Sequence, residues 1–316
     1  MSPNLDPCAA ASVVICAHTL RRWPALRRAV SSLHAQTLKP EQIIVVIDGN
    51  DQLLARARHE LVLEDIPVHV VPNSRTKGLS GARNTGVLLA DCPVVAFLDD
   101  DAIAEPGWLQ AIMNGFEAGV LAVGGWATPL DSTAIPAWWP REYDWVVGCS
   151  HVGLPAQGGS VRNVLGCTMA FKREAFCRVG LFHEGIGRAG NTALGCEETE
   201  LCIRLTTTVG GQPVRLVPGA LIRHDVEPER FSARYLVKRC FAEGRSKAKV
   251  KALVGPRALS AESAHIRSTL PKAFARALGG VPLGRKGALG MAAAIVGGVG
   301  VAGAGFIQET LAEKLR

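Results

Sequence analysis

The chain has 316 residues and a formal net charge of +7, with hydrophobic residues at 48% and charged residues at 20%; this is an ordinary globular balance, long enough for one large α/β domain or two smaller ones. Aromatic residues make up only 5%, which excludes a nucleic-acid surface built from stacked aromatic platforms. The nine cysteines are odd in number and form no Cys-x-x-Cys pair, which excludes a zinc ribbon or a disulfide framework and points to a reducing compartment.

The first residues, Met1–Ala10, show neither the charged n-region nor the apolar h-region of a signal peptide. Ser12–Ala17 is a continuous apolar run, as expected of a strand buried on both faces. Pro24 then opens a helix whose stripe is Ala25, Leu26, Ala29, Val30 and Leu33. Ile43–Ile47 reads as the second strand, stopped by the turn Asp48-Gly49-Asn50-Asp51, and Leu53, Leu54, Ala57 and Leu61 as a second helix. Val68–Val71 is a third strand ended by Pro72, Gly78–Ala90 a helix and Val94–Leu98 a fourth strand. A helical stripe follows at Trp108, Leu109, Ile112, Met113 and Phe116, then a strand at Leu121–Val123. Residues 127–165 are irregular, rich in Gly, Pro and Trp, with Trp138, Trp139 and Trp145 open either to sugar or lipid stacking or to core packing. Beyond them, Val164–Phe171 reads as a strand, Glu198–Thr207 as a helix, and Val214–Val217 and Leu221–Ile222 as short strands. Phe231 to about Val254 reads as a basic amphipathic helix.

Strands alternating with helices over short connections imply a parallel, doubly wound sheet. Such sheets bind ligands beyond the carboxyl ends of their strands. The polar residues there are His18-Thr19, Asp48, Asn73 and Asp99-Asp100-Asp101.

Three carboxylates directly after a buried strand repel one another, and a hard cation such as Mg2+ or Mn2+ is the natural compensator. A solvated turn is the alternative. Glu197, Glu198 and Glu200 sit at a helix start, where the helix dipole favours carboxylates even without catalysis. Lys77-Gly78-Leu79-Ser80-Gly81-Ala82-Arg83-Asn84 permits close backbone approach to a phosphate but is neither a P-loop nor a dinucleotide fingerprint. His224, a lone histidine, is either a structural hydrogen-bonder or a ligand.

The order of these elements is more specific than any one of them. Asn73 and Lys77-Gly78-x-x-Gly81-Ala82-Arg83-Asn84-x-Gly86, then Phe97-Leu98-Asp99-Asp100-Asp101 and Val179-Gly180-x-Phe182, then Gly195-x-Glu197-Glu198-Thr199-Glu200-Leu201-x-x-Arg204 and Arg223-His224 resemble the family-2 glycosyltransferases, from about Ser12 to Ser246. The resemblance implies a GT-A fold: a Rossmann-like, mainly parallel central sheet with helices on both faces, followed here by a C-terminal helical segment. It implies metal-assisted, inverting transfer of a sugar from a nucleotide-diphosphate donor to a hydroxyl acceptor, a glycan or a lipid-linked sugar. Residues 1–126 would form the nucleotide-sugar half, 127–230 the acceptor and catalytic half, and 231–316 a basic helical region.

By the same resemblance Asp99 and Asp101 take the places of the Asp-x-Asp motif, with His224 completing the metal set. Thr19, Asp48, Asn73, Arg83, Asp99 and Asp100 line the donor. Glu198 stands in the position of the base. The family more often has Asp there, so Glu197 remains a second candidate. The family also usually shows two acidic residues after the second strand, where this chain has Ile47 before Asp48. The Gln-x-x-Arg-Trp signature of processive members is missing, which implies single addition. A nucleotidyltransferase of similar fold, or a non-catalytic nucleotide-sugar-binding protein, is the rival reading; the first would carry an N-terminal Gly-rich phosphate loop, which His18-Thr19-Leu20-Arg21-Arg22 is not.

The excess positive charge lies after residue 230, in residues such as Arg234, Lys238, Arg239, Arg245, Lys247, Lys249, Lys251, Arg285 and Lys286. It suits solvation or an anionic membrane surface rather than nucleic acid. Gly287–Ile307 is uncharged and long enough to span a bilayer, but its Gly and Ala content favours a surface-lying or packed helix. The expected location is the cytoplasm, peripheral to the inner face of the plasma membrane.

Overall fold

The computed structural model describes residues 10–62, 65–188, 190 and 194–315, leaving aside the side chains of 256 and 257. The reading of residues 1–9 as lacking a signal peptide lies outside these.

In chain order the N-terminal elements are β1 (Ala11–Ala17), α1 (Trp23–His34), β2 (Gln42–Ile47), α2 (Asp51–Glu60), β3 (Val68–Pro72), α3 (Leu79–Leu89), β4 (Val94–Leu98), β5 (Ala102–Ala104), α4 (Trp108–Asn114) and β6 (Ala122–Pro129). Then come β7 (Gly159–Ser160), β8 (Thr168–Lys172), α5 (Arg173–Val179), α6 (Glu197–Val209), β9 (Val214–His224), α7 (Ala233–Val254), α8 (Ser260–Ala264), α9 (Leu270–Gly280) and α10 (Ala288–Lys314).

Among the described residues the strands form one sheet in the order β3-β2-β1-β4-β8-β6-β9-β5, with β7 paired to β9. Strands β3, β2, β1 and β4 are mutually parallel. From β8 onward the described pairings are antiparallel, so the parallel character belongs to the N-terminal strands β1–β4. One reason is the length of the β4–β5 link. Only Asp99-Asp100-Asp101 separate the two strands, while a parallel crossover needs about a dozen residues. Strand β5 therefore leaves β4 and pairs antiparallel with β9 at the far edge.

The period of two along each strand divides the core. Val13, Ile15, Ile43, Val45, Ile47, Val94, Ala96 and Leu98 point to one side, against Leu26, Ala29, Val30 and Leu33 of α1 and Leu53 and Ala57 of α2. Val14, Ile44, Val46, Val95 and Phe97 point to the other, against Ala82 and Val87 of α3, Phe176 of α5 and Leu201, Cys202 and Leu205 of α6. Gly86 lets α3 lie close on β1, since a Cβ there would sit 2.4 Å from Val14 Cγ1. The structure differs from the periodicity reading in three ways: β9 runs unbroken through Pro218, the strand read from Val164 begins at Thr168, and β5, β7, α5, α8 and α9 are additional.

The chain separates into two compact units. One comprises Met1–Thr128, Pro155–Gly190 and Glu197–Asp225 and contains the sheet; the other comprises Pro129–Leu154, Asn191–Cys196 and Val226–Arg316. The irregular 129–154 segment therefore groups with the C-terminal helices rather than with 155–190 and 197–225.

In the second unit α10 packs on α7 through glycines. A Cβ on Gly244 would lie 1.9 Å from Ala302 O, and one on Gly305 2.1 Å from Phe241 O, so only glycine permits this approach. Tyr143 Oη donates to Ile295 O at 2.8 Å. Glu309, 1% exposed, takes Arg245 at 2.7 Å and Lys249 at 3.6 Å. Trp139 is fully buried and packs edge-on against Trp138 and Phe231, so its apolar area is spent on this core. Several cations of α7 serve internal pairs: Arg239 and Lys247 with Glu243, and Lys247 with Glu262. The basic character of this helix is thus partly structural.

Candidate active site

The carboxyl ends of β1, β2, β3 and β4 are followed by the sequence-selected polar residues Thr19, Asp48, Asn73 and Asp99-Asp100-Asp101. After β1, Thr19 Oγ1 accepts from Arg21 N at 3.3 Å and caps a short 3-10 turn, Leu20–Arg22. After β2, Asp48 accepts from Asn73 Nδ2 at 2.7 Å and from Gly78 N at 3.0 Å. After β3, Asn73 Oδ1 accepts from Arg75 N at 3.0 Å and from Thr85 Oγ1 at 2.9 Å. Asp48 and Asn73 thereby fix the 73–78 loop that leads into α3. Gly78, at φ 128°, makes the turn.

After β4 the three aspartates separate by environment. Asp99 is half-buried, while Asp100 and Asp101 are 4% and 5% exposed. The pairing of β5 with β9 sets Ala102 opposite His224, which brings His224 Nε2 to 2.9 Å from Asp101 Oδ1. Ligand atoms of Asp99, Asp101 and His224 all lie within 4.8 Å of one another. Arg22 Nη1 sits 2.9 Å from Asp100 Oδ1 and 3.1 Å from Asp101 Oδ2. Asp100 Oδ2 is buried without a hydrogen-bond partner. Burial, then the charge of Asp101, raises the Asp100 pKa to about 7 against the pull of Arg22. For Arg22, burial opposes the charged form, but Asp101 and Asp100 outweigh it and raise its pKa.

Arg83 joins this cluster to the start of α6. It is 2% exposed, with Nη1 2.5 Å from Glu197 Oε1, Nη2 2.9 Å from Gly166 O and Nη2 3.6 Å from Asp99 Oδ1. Burial would disfavour its charge, yet Glu197 first and Asp99 second raise its pKa. Glu197 is 3% exposed. Its neighbour Glu198 is partly exposed, accepts from Thr199 Oγ1 at 3.2 Å and lies within electrostatic reach of Arg83. Acidic groups from two stretches about a hundred residues apart thus meet in one site. Cys16, beneath it, has its thiol pushed up to about 12, chiefly by burial, which leaves it inert as a nucleophile.

A model of glycosyl transferase family 2 matches residues 12–180. The chain belongs to that family. It is 32% identical over 262 residues to a glucosyl-dolichyl phosphate glucuronosyltransferase of Haloferax volcanii, covering 82% of each chain. It is 26% identical to the succinoglycan biosynthesis protein ExoM of Rhizobium meliloti, covering 71% of each. A mannosyltransferase from Pyrobaculum calidifontis solved with GDP-Man and Mn2+ shares the fold with a TM-score of 0.55 at 18% identity, over 96% of this chain and 88% of that one. GalNAc-T7 solved with UDP, GalNAc and Mn2+ also gives 0.55 at 17% identity, over 82% of this chain and 57% of that one. The protein is a family-2 glycosyltransferase with the GT-A fold.

In this family-2 enzyme two carboxylates and an imidazole supply hard oxygens and one borderline nitrogen, a donor set that fits Mg2+ or Mn2+. The orphaned Asp100 oxygen marks the same surplus of negative charge. Sequence reasoning stopped at Thr19 after β1 and missed Arg22. The available signal was the basic pair Arg21-Arg22 just past a buried strand end. It also missed Gly166, whose carbonyl anchors Arg83; a Cβ there would stand 2.9 Å from Arg83 Nη2.

Proposed function

We propose that the enzyme transfers a sugar with inversion from a nucleotide-diphosphate donor to the hydroxyl of a lipid-linked acceptor, assisted by Mg2+ or Mn2+. The observation that carries the reading is the Arg83 bridge, which brings Glu197 and Glu198 together with the Asp99, Asp101 and His224 group. Asp99, Asp101 and His224 hold the metal ion, which when bound neutralises charge on the departing diphosphate. Thr19, Asp48, Asn73, Arg83, Asp99 and Asp100 shape the donor side. Glu198 is the base: it is the more accessible of the two glutamates, whereas Glu197 is committed to Arg83. It takes the proton of the acceptor hydroxyl as that oxygen bonds to the anomeric carbon and the bond to the diphosphate oxygen breaks. The name of the Haloferax relative, which includes a dolichyl phosphate sugar, supports the lipid-linked acceptor. Mn2+ in both solved relatives supports the metal.

A panel of nucleotide sugars, screened for release of nucleoside diphosphate with Mn2+, tests the donor. In folded protein, Asp101→Ala is expected to abolish transfer and Glu198→Gln to lower it by about 10²–10⁴-fold. Full activity in either one removes the assigned role.

Membrane association at a cytoplasmic leaflet belongs to the same reading. Helix α10 is long and apolar enough to cross a bilayer, and only 22% of its apolar stretch is buried. Leu289, Val296, Ile307 and Leu311 are exposed along it, with Arg285, Lys286 and Lys314 exposed near its ends. The buried Glu309 pairs and the glycine contacts with α7 support a helix lying on the lipid rather than through it, because a spanning helix would leave them. Flotation with vesicles containing anionic lipid tests this; no flotation, with or without anionic lipid, counts against it.

A further inference from the structure

The surplus of carboxylates after β4 is met by a residue whose position conflicts with metal binding. Asp101 uses Oδ1 toward His224 and Oδ2 toward Arg22. His224 resolves its share of that conflict by becoming a ligand itself, since a neutral imidazole has a lone pair to give. Arg22 has no lone pair and carries the same sign of charge as a metal ion, so it and the ion repel each other across one carboxylate.

The two arginines of the site differ in freedom. Arg83 is pinned by Glu197 and Gly166 O, with a side chain 3% exposed. The Arg22 side chain is 18% exposed, and its described partners are the carboxylates themselves. Its backbone is held, with Arg22 N donating to Thr19 O at 3.3 Å in the capped turn after β1. A change of partner therefore asks only for a rotation of the side chain. That side chain starts from a strand end on the donor side of the sheet, where an arginine fork matches phosphate oxygens.

Resting on the proposed metal and donor reading, we infer that Arg22 is a movable internal cation. It neutralises Asp100 and Asp101 until a divalent ion enters, then turns its guanidinium to the donor diphosphate. Charge compensation passes from the guanidinium to the ion, and Arg22 becomes a second cationic contact for the leaving group.

The test uses the full chain with Mn2+ alone and with inorganic pyrophosphate. Arg22→Gln is expected to bind Mn2+ alone about tenfold more tightly than the wild type, because a like charge has left the ion's side. At saturating Mn2+ its pyrophosphate affinity is expected to fall about tenfold, with Arg22→Lys recovering part of the loss through its charge without the fork. Without metal, Arg22→Gln melts below the wild type, and Mn2+ raises its Tm by more than it raises the wild type's. Weaker Mn2+ binding by Arg22→Gln, unchanged affinities for both probes, or a variant that stays unfolded even with Mn2+ overturns the inference and leaves the metal reading standing. A wild-type chain that binds no Mn2+ overturns both.

Discussion

The two glutamates at the start of α6 separate experimentally because they are exposed to different degrees and differently paired. Replacing Glu197 by Ala removes the carboxylate 2.5 Å from Arg83 Nη1 and leaves a guanidinium that is 2% exposed. Breaking a buried ion pair by deleting one partner costs about 3–5 kcal/mol. Arg83 keeps Gly166 O at 2.9 Å and Asp99 at 3.6 Å, which places the loss at the lower end, about 3 kcal/mol. For a domain of this size that lowers Tm by roughly 10 °C. Glu198→Gln touches a partly exposed side chain with a local hydrogen bond from Thr199, so its stability changes by only about 0.5 kcal/mol. Its loss of a proton acceptor lowers kcat by about 10²–10⁴-fold. Calorimetry on both variants, alongside nucleoside diphosphate release, reads the contrast directly. If Glu198→Gln melts early while Glu197→Ala is stable and inactive, the two roles are interchanged and the reasoning from burial fails.

Gly86→Ala would set a Cβ 2.4 Å from Val14 Cγ1; it should cost about 1–3 kcal/mol in urea unfolding despite alanine's better helix propensity. Gly300→Ala, inside helix α10 with nothing within 4 Å, is the matched control and should be neutral or stabilising. Glu309→Ala frees α10 from two cations of α7; Arg245, 38% exposed at its side chain, can rehydrate, so the loss is about 1–3 kcal/mol, seen as faster hydrogen exchange in α10. His151 has its pKa lowered from 6.5 to about 4, chiefly by burial. The unfolded chain therefore takes up the proton first as pH falls. Stability is full above about pH 6.5 and is lost by about 1–3 kcal/mol on going down to about pH 4. His151→Phe should flatten that acid limb in thermal melts.

Much of the N-terminal parallel part was legible because a parallel sheet writes itself into sequence as short apolar runs alternating with helical stripes. Ser12–Ala17, Ile43–Ile47 and Val94–Leu98 have no polar side to hide and become β1, β2 and β4 with small shifts of boundary. The antiparallel half was harder to read. Its register depends on which strand edge β5 and β9 meet, and no local pattern encodes that. Asp99, Asp101 and His224 were readable as a set only through motif order, since their approach is created by the pairing of Ala102 with His224. Arg22 and Gly166 were not readable, because their parts come from where their atoms lie and not from a spacing. The same holds for the basic C-terminal segment: a count of cations cannot say that Arg239 and Lys247 face the half-buried Glu243, and Arg245 and Lys249 the buried Glu309.

That last point gives a way to tell a structural carboxylate from a binding one. Near the β4 end, Asp99, Asp100, Asp101 and Glu197 face the guanidiniums of Arg22 and Arg83, and the deficit shows as a raised pKa on Asp100. In the C-terminal unit the balance is reversed: Glu309 takes both Arg245 and Lys249, and Glu243 both Arg239 and Lys247. Burial pushes the Glu243 pKa up, yet it falls because Lys247 and Arg239 outweigh burial. A buried acid with more cations than it needs contributes to the fold and asks for no ligand. A buried acidic cluster with fewer is unstable to its own repulsion: a proton on Asp100 relieves one charge, as its raised pKa registers, and a divalent ion relieves two.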